Sequence, residues 1–186
     1  MLREALEGRC VAVTGGTGFL GTALVERLLR AVPGSNLLLL VRPGRRGAAE
    51  RVRREIFHND CFDRLRRDLG DGFDDEVRRR VTVAAGDVGI DGLALDEEGK
   101  AALARCDTVI HSAATVSFDS PLDAAVDINL LGPVRVAATL NQLNPGADAF
   151  PHLISVSTAY VVGSRRGPAP EATLADTPWS TEVAWR

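Results

Sequence analysis

Three glycines at intervals of three, Gly15, Gly18 and Gly21, stand in the run Thr14-Gly15-Gly16-Thr17-Gly18-Phe19-Leu20-Gly21. Ahead of them Cys10-Val11-Ala12-Val13-Thr14 reads as a buried strand. Behind them Leu20, Leu24, Leu28 and Val32 recur every four residues, one face of a helix. In that setting each glycine has a physical use. Gly15 permits the tight turn off the strand, Gly18 lets backbone approach a diphosphate, and Gly21 lets the helix pack close to the sheet. Free N–H groups and the positive dipole end at the helix start then bind the diphosphate. The alternative is a glycine-rich turn that holds no ligand.

The rest of the chain repeats the strand–helix rhythm. Pro33-Gly34-Ser35 stops the first helix. Further strands are expected at Asn36–Val41, Val81–Ala85, Thr108–Ser112 and Leu153–Val156, with a helix over Leu122–Leu143 ended by Asn144-Pro145-Gly146. Alternation of this kind implies right-handed βαβ crossovers. The expected fold class is α/β: a Rossmann-like, doubly wound parallel sheet that ends after about the fifth strand, one domain over residues 1–186. The connection from Arg42 to Arg80 is long enough for two helices. Gly163 to Arg186, with Pro168, Pro170 and Pro178, reads as irregular surface chain.

Composition excludes several other classes. A net charge of −3 argues against a general nucleic-acid binder. Cys10, Cys61 and Cys106 lack zinc-ligand spacing and read as buried free thiols in a reducing compartment. His58, His111 and His152 form no ligand set, so no metal is expected, and His111 reads as a packed strand-end residue. The charged N-terminus does not resemble a signal peptide. The longest apolar run, Leu37 to Val41, falls far short of the roughly 20 residues that span a bilayer. No transmembrane segment is expected, and the location expected is cytoplasmic, with peripheral membrane attachment open for a larger parent protein.

The second strand decides between nucleotides. Sites that prefer NAD place an acid at its end, on the ribose 2′-hydroxyl. Here it ends Val41-Arg42-Pro43, and no acid occurs between Glu26 and Glu50. Arg42, Arg45 and Arg46 are available instead, and a guanidinium pairs bidentately with a 2′-phosphate. NADPH/NADP is therefore the expected cofactor, with Arg42 the better placed; Arg45 and Arg46 also read as solvated loop charges. Asp87 and Val88 end the third strand, where the Asp either accepts from the adenine amino group or caps a turn.

With these residues in view, the chain resembles the extended short-chain dehydrogenase/reductase superfamily. It is most similar to the fatty acyl-CoA reductases and thioester reductase domains of the male-sterility type. The stretches that carry this are Leu40-Val41-Arg42-Pro43, Phe62-Asp63-Arg64-Leu65-Arg66, the segment from Val109 to Asp119, Asn129-Leu130-Leu131-Gly132 and Val156-Ser157-Thr158-Ala159-Tyr160-Val161. The Arg165-Arg166-Gly167 form, with a tail near Trp185, looks most like actinobacterial members. The resemblance implies a cofactor wall at Ala113 and Ala114, an Asn129 in the helix behind the site, and a Thr158 hydroxyl that hydrogen-bonds the substrate carbonyl oxygen. The implied substrate is an acyl-CoA or acyl-carrier thioester, reduced by hydride to aldehyde or alcohol.

The same resemblance calls for a Tyr-x-x-x-Lys pair on one helical face, the Tyr as proton donor and the Lys lowering its pKa. Tyr160 is followed four residues later by Ser164, and Lys100 is far upstream. The expectation is a cofactor-binding portion cut before its catalytic helix and substrate lobe, slower by roughly 10²–10⁴-fold for the missing acid alone. An extended reductase or epimerase acting on a nucleotide sugar, and a non-catalytic NADP sensor, remain as alternatives. The segment Arg42–Arg67 holds nine arginines against four acids, +5, and the remainder of the chain −8. It is either a landing surface for CoA phosphates or an acidic carrier protein, or two amphipathic helices with solvated faces.

Overall fold

Apolar residues on both faces of a strand require cover on both sides, and the computed structural model shows that cover. It describes residues 2–117, 119–146, 150–162 and 166–168. The strands are β1 (Cys10–Thr14), β2 (Asn36–Val41), β3 (Val81–Ala85), β4 (Thr108–His111) and β5 (His152–Ser155). All pairings are parallel, in the order β3-β2-β1-β4-β5. This is the doubly wound order expected, with the chain reversing direction across the sheet between β1 and β4.

The helices are α1 (Leu2–Leu6), α2 (Phe19–Ala31), α3 (Gly47–Val52), α4 (Asp63–Leu69), α5 (Phe73–Arg80), α6 (Glu97–Ala104), α7 (Leu122–Ala125) and α8 (Leu131–Leu143). One core joins Val11, Val13, Leu37 and Leu39 to α2 through α5. The other joins Ala12, Leu38, Leu40 and Val109 to Leu103 of α6 and to Val136 and Leu140 of α8. Alternate residues of β1 and β2 thus feed opposite cores, which is why neither strand alternates polar with apolar. Each large side chain so buried contributes roughly 1.5–3 kcal/mol.

Several expectations are corrected. β4 stops at His111, not Ser112, and β5 starts and stops one residue early. α1 and α6 were not foreseen. The Arg42–Arg80 connection holds three helices instead of two; α3 runs on into a π-helical turn at Arg53–Phe57, and Gly70, with φ 51°, breaks α4 from α5. Phe57, Phe62 and Phe73 meet edge to face there, with centroids 5.4–6.3 Å apart. The arginines of this segment are mostly committed to near neighbours: Arg53 to Glu50, Arg51 and Arg54 to Glu55, Arg66 to Asp63. That is the pattern of amphipathic helices with solvated faces. Cys10 is half-buried and Cys106 buried, but Cys61 is exposed.

Two local features hold the scaffold. The Arg80 side chain, 1% exposed, donates to the carbonyls of Leu29, Val32 and Ser35 and pairs with Glu76 at 3.1 Å. It thereby supplies a donor to the Leu29 carbonyl in the last turn of α2 and ties down the chain that follows. After β3, Gly92, Leu93 and Ala94 have φ of 66°, 58° and 50°, a left-handed turn in which two residues carry a Cβ. Such conformations cost roughly 1–2 kcal/mol per non-glycine residue. The turn places Leu93 in the core and its carbonyl on the Asp87 N–H at 2.8 Å.

The chain divides into two units, Met1–Ser155 and Val156–Arg186. Of the second, residues 156–162 and 166–168 are described; Ala159–Val162 forms a 3₁₀ turn. The rest of the segment expected to be irregular, with Pro170, Pro178 and Trp185, lies outside the described residues. Among the described residues no helix is long and apolar enough to cross a membrane.

Candidate functional site

The glycine loop is shaped by contacts that a Cβ would destroy. Gly15, with φ 73°, passes so close to the chain leaving β4 that a Cβ would stand 2.5 Å from the Ala113 nitrogen. A Cβ on Gly21 would stand 2.0 Å from the Gly15 carbonyl oxygen, so Gly21 packs α2 onto the loop itself more than onto the sheet. Gly18 differs: among the described residues beyond its chain neighbours, its Cβ would meet the Gly15 oxygen, at 3.3 Å, and nothing else within 4 Å. The protein's own packing asks less of Gly18 than of Gly15 or Gly21, since the Gly15 oxygen need give by only a few tenths of an ångström.

Hydrogen bonds freeze this shape. The Gly18 N–H donates to the Gly15 carbonyl at 2.9 Å, and the Thr22 hydroxyl to the Gly16 carbonyl at 2.9 Å. Phe19, Leu20 and Gly21 begin α2, and first-turn amides have no intrahelical acceptor. They form the donor end of a 13-residue helix.

A cavity of about 380 Å³ lies beside this loop at the carboxyl ends of β1, β2, β3 and β4. Thr14, Gly15, Thr17 and Gly18 line it from the first loop, and Arg42 from the end of β2. Asp87 and Val88 line it after β3, Ala113 and Ala114 after β4. Phe19, Leu20, Gly21, Arg45 and Asn129 do not. The Phe19 side chain is 99% exposed, so that position can act on a cavity ligand through its backbone alone.

Charge in the cavity is positive on one side. Arg42 is exposed, and its guanidinium has no ion-pair partner among the described residues. Arg51 also lines the cavity, a residue the sequence analysis missed. Its guanidinium donates to the Arg42 carbonyl at 2.9 Å and pairs with Glu55 at 2.9 Å, tying α3 to the end of β2. Asp87 uses Oδ1 to accept the Gly89 N–H at 2.9 Å, the turn-capping role, while Oδ2 has no protein partner among the described residues.

Beneath the cavity Thr14 and His111 end adjacent strands. Thr14 Oγ1 lies 2.7 Å from His111 Nδ1 and accepts the Ala113 N–H at 3.3 Å. His111 is buried, its Nε2 has no hydrogen-bond partner among the described residues, and burial pushes its pKa down. This is a packed strand-end residue, as expected, and it links the first loop to the chain leaving β4.

Asn129 stands one layer back. It lies in a π-helical turn, Val126–Leu130, between α7 and α8. Its side chain accepts the Thr115 N–H at 2.8 Å and donates to the Thr115 carbonyl at 2.9 Å. Arg135 steadies that turn by donating to the Asp127 carbonyl and pairing with its carboxylate at 2.8 Å. In the second unit Thr158 Oγ1 accepts the Tyr160 N–H at 3.2 Å, which leaves its own hydroxyl hydrogen for another acceptor.

Comparison with known proteins places this arrangement. The profile of the male sterility proteins, an NAD-binding family, matches residues 13–182. Fatty acyl-CoA reductase 8 of Arabidopsis thaliana is 36% identical over 171 residues, 89% of this chain and 34% of the relative. The alcohol-forming fatty acyl-CoA reductase of Simmondsia chinensis is 36% identical over 168 residues, 88% of this chain and 33% of the relative. Among solved structures, the terminal R domain of the myxalamid biosynthetic pathway superposes with a TM-score of 0.66 at 26% identity, over 88% of this chain and 38% of that one. The chain thus spans about a third of the length of the curated relatives it matches.

Proposed function

The chain belongs to the male sterility family of NAD-binding domains, and we propose that it is the NADP(H)-binding portion of a reductase acting on a fatty acyl-CoA or acyl-carrier thioester. One observation carries the choice of cofactor. An open glycine loop faces a β2 end that offers Arg42, unpaired among the described residues, where an NAD site would offer an acid.

In this reading the amides at the start of α2 hold the diphosphate, and Gly18 lets it come close. Arg42 pairs with the 2′-phosphate, and Arg51 holds the Arg42 backbone in place. Asp87 and Val88 border the adenine, and Asp87 Oδ2 accepts from its amino group. Ala113 and Ala114 keep the wall after β4 low beside the nicotinamide half. A dinucleotide held by these residues would supply hydride for reduction of a thioester carbonyl. Thr158, carried by the second unit, keeps the role that the resemblance implies, its hydroxyl hydrogen offered to a substrate carbonyl oxygen. Tyr160 and Lys100 are the sequence's sole tyrosine and lysine, so no Tyr-x-x-x-Lys pair occurs here. These residues alone bind dinucleotide without useful turnover.

Titration calorimetry with NADPH and NADH tests the reading. NADPH binds at least about tenfold tighter, and Arg42→Ala removes most of that advantage, since hydrogen bonds between charged groups contribute roughly 1.5–3 kcal/mol. Tighter binding of NADH, or no heat with either, overturns it.

A further inference from the structure

At the end of the sheet opposite the glycine loop, β1 begins at Cys10 and β4 is approached through Cys106. Their sulfurs are 3.1 Å apart. The Cys106 sulfur is buried and also reaches the Ala102 carbonyl at 3.5 Å, so it is held on the last turn of α6. Asp107 fixes the other partner by accepting the Cys10 N–H at 2.8 Å, while Arg9 pairs with the same carboxylate at 2.8 Å. Cys10 is half-buried, and Cys106 lines a second cavity of about 440 Å³, with Arg9 and Arg105 among its walls. The dinucleotide cavity lies a strand length away, roughly 16 Å, and uses neither thiol.

We propose that Cys10 and Cys106 form a peroxide-sensitive dithiol that closes reversibly to a disulfide joining the start of β1 to the approach to β4. The two sulfurs need to close by about 1 Å to reach bonding distance. Their roles differ. The contact with Cys106 holds the Cys10 thiol below its ordinary value; the same contact, with burial, pushes Cys106 up. Cys10, half-buried, is the sulfur that peroxide reaches first and so the nucleophile, and the buried Cys106 is the resolving thiol. The Cys10 thiolate attacks one peroxide oxygen, the O–O bond breaks, and the departing hydroxide takes a proton to become water. Cys106 sulfur then attacks the Cys10 sulfenic acid. The S–O bond breaks, the S–S bond forms, and the second hydroxide leaves with the Cys106 proton as water. Two thiols lose two electrons, and the peroxide is reduced to two waters.

The test treats the reduced native chain with hydrogen peroxide, then alkylates and maps it by mass spectrometry. Alkylatable thiols fall from three to one, a linked peptide pair carries Cys10 and Cys106, and dithiothreitol restores all three. In Cys106→Ser, Cys10 is trapped as a sulfenic acid by dimedone. Cys10 and Cys106 that both stay alkylatable overturn the proposal. So does Cys10 sulfinic acid beside a free Cys106, or crosslinking between chains through Cys61 alone. The wild-type map decides the matter even if a variant fails to fold.

Discussion

Asn129 grips the Thr115 backbone with both ends of its side-chain amide, at 2.8 Å and 2.9 Å. A primary amide used this way imitates a strand partner for chain that has already left the sheet. Ala113, Ala114 and Thr115, all lining the cavity, take their position from His111 at one end and from this grip at the other. Asn129 makes this grip from within the π-helical turn Val126–Leu130, an irregularity between α7 and α8.

Asn129→Ala removes two hydrogen bonds with a net contribution of about 0.5–1.5 kcal/mol each. The exposed clamp matters to the loop more than to the fold. Calorimetry is expected to show NADPH affinity reduced about 5–20-fold with an unfolding midpoint close to wild type. Asn129→Asp keeps the acceptor, loses the donor and falls between. Wild-type affinity in Asn129→Ala would show that the loop holds its shape without the clamp.

Gly18 and Gly21 respond oppositely to alanine. Gly21→Ala drives a Cβ into the Gly15 carbonyl, so urea unfolding shows a loss of about 1–3 kcal/mol together with loss of binding. Gly18→Ala meets little protein, so stability stays within about 1 kcal/mol while NADPH affinity drops at least tenfold, about 1.4 kcal/mol. Unimpaired binding by Gly18→Ala would show that no ligand uses that space.

Arg80→Met takes the guanidinium from the Leu29 and Ser35 carbonyls and Glu76, while the Val32 carbonyl keeps the Ser35 N–H and hydroxyl. A buried acceptor left unsatisfied costs roughly 1–3 kcal/mol, and Glu76 keeps Arg79 as a partner. Arg80→Lys recovers little, since one ammonium cannot span the three carbonyls. Urea melts measure both; a loss below 1 kcal/mol for Arg80→Met would show that water replaces the guanidinium.

His111 gives the fold a pH dependence. Burial holds its pKa below the ordinary 6.5, so between the two values the unfolded chain binds more protons than the native one. Its contribution is complete above about pH 6.5 and is lost as pH falls from there toward the folded-state value. Subtracting His111→Gln unfolding curves from wild type isolates it. A difference that stays flat from pH 7.5 to 5 would show that His111 titrates normally.

Apolar runs located every strand to within a residue; β1 and β2 are buried on both faces, whereas most residues of β3 and β5 are half-buried or exposed. Helix α6 escaped notice: Gly99 and a run of alanines blur its periodicity, and its start rests on Asp96 accepting the Gly99 N–H. Arg78, Arg79 and Arg80 look alike in the sequence. Helix phase turns Arg80 inward and leaves its neighbours in solvent. Arg51 was hidden in the same way among nine arginines of one segment. The glycine loop was legible because its residues are contiguous, whereas the Asn129 clamp joins positions 14 apart through a helical irregularity that no local pattern announces.

The reversed twist at Gly92, Leu93 and Ala94 means that the Asp87 side of the cavity is already set before any visitor arrives. Anchored below by Leu93 and above by the Asp87 amide, that rim works as a gauge: a guest must match its contour, for the rim has little freedom to follow the guest.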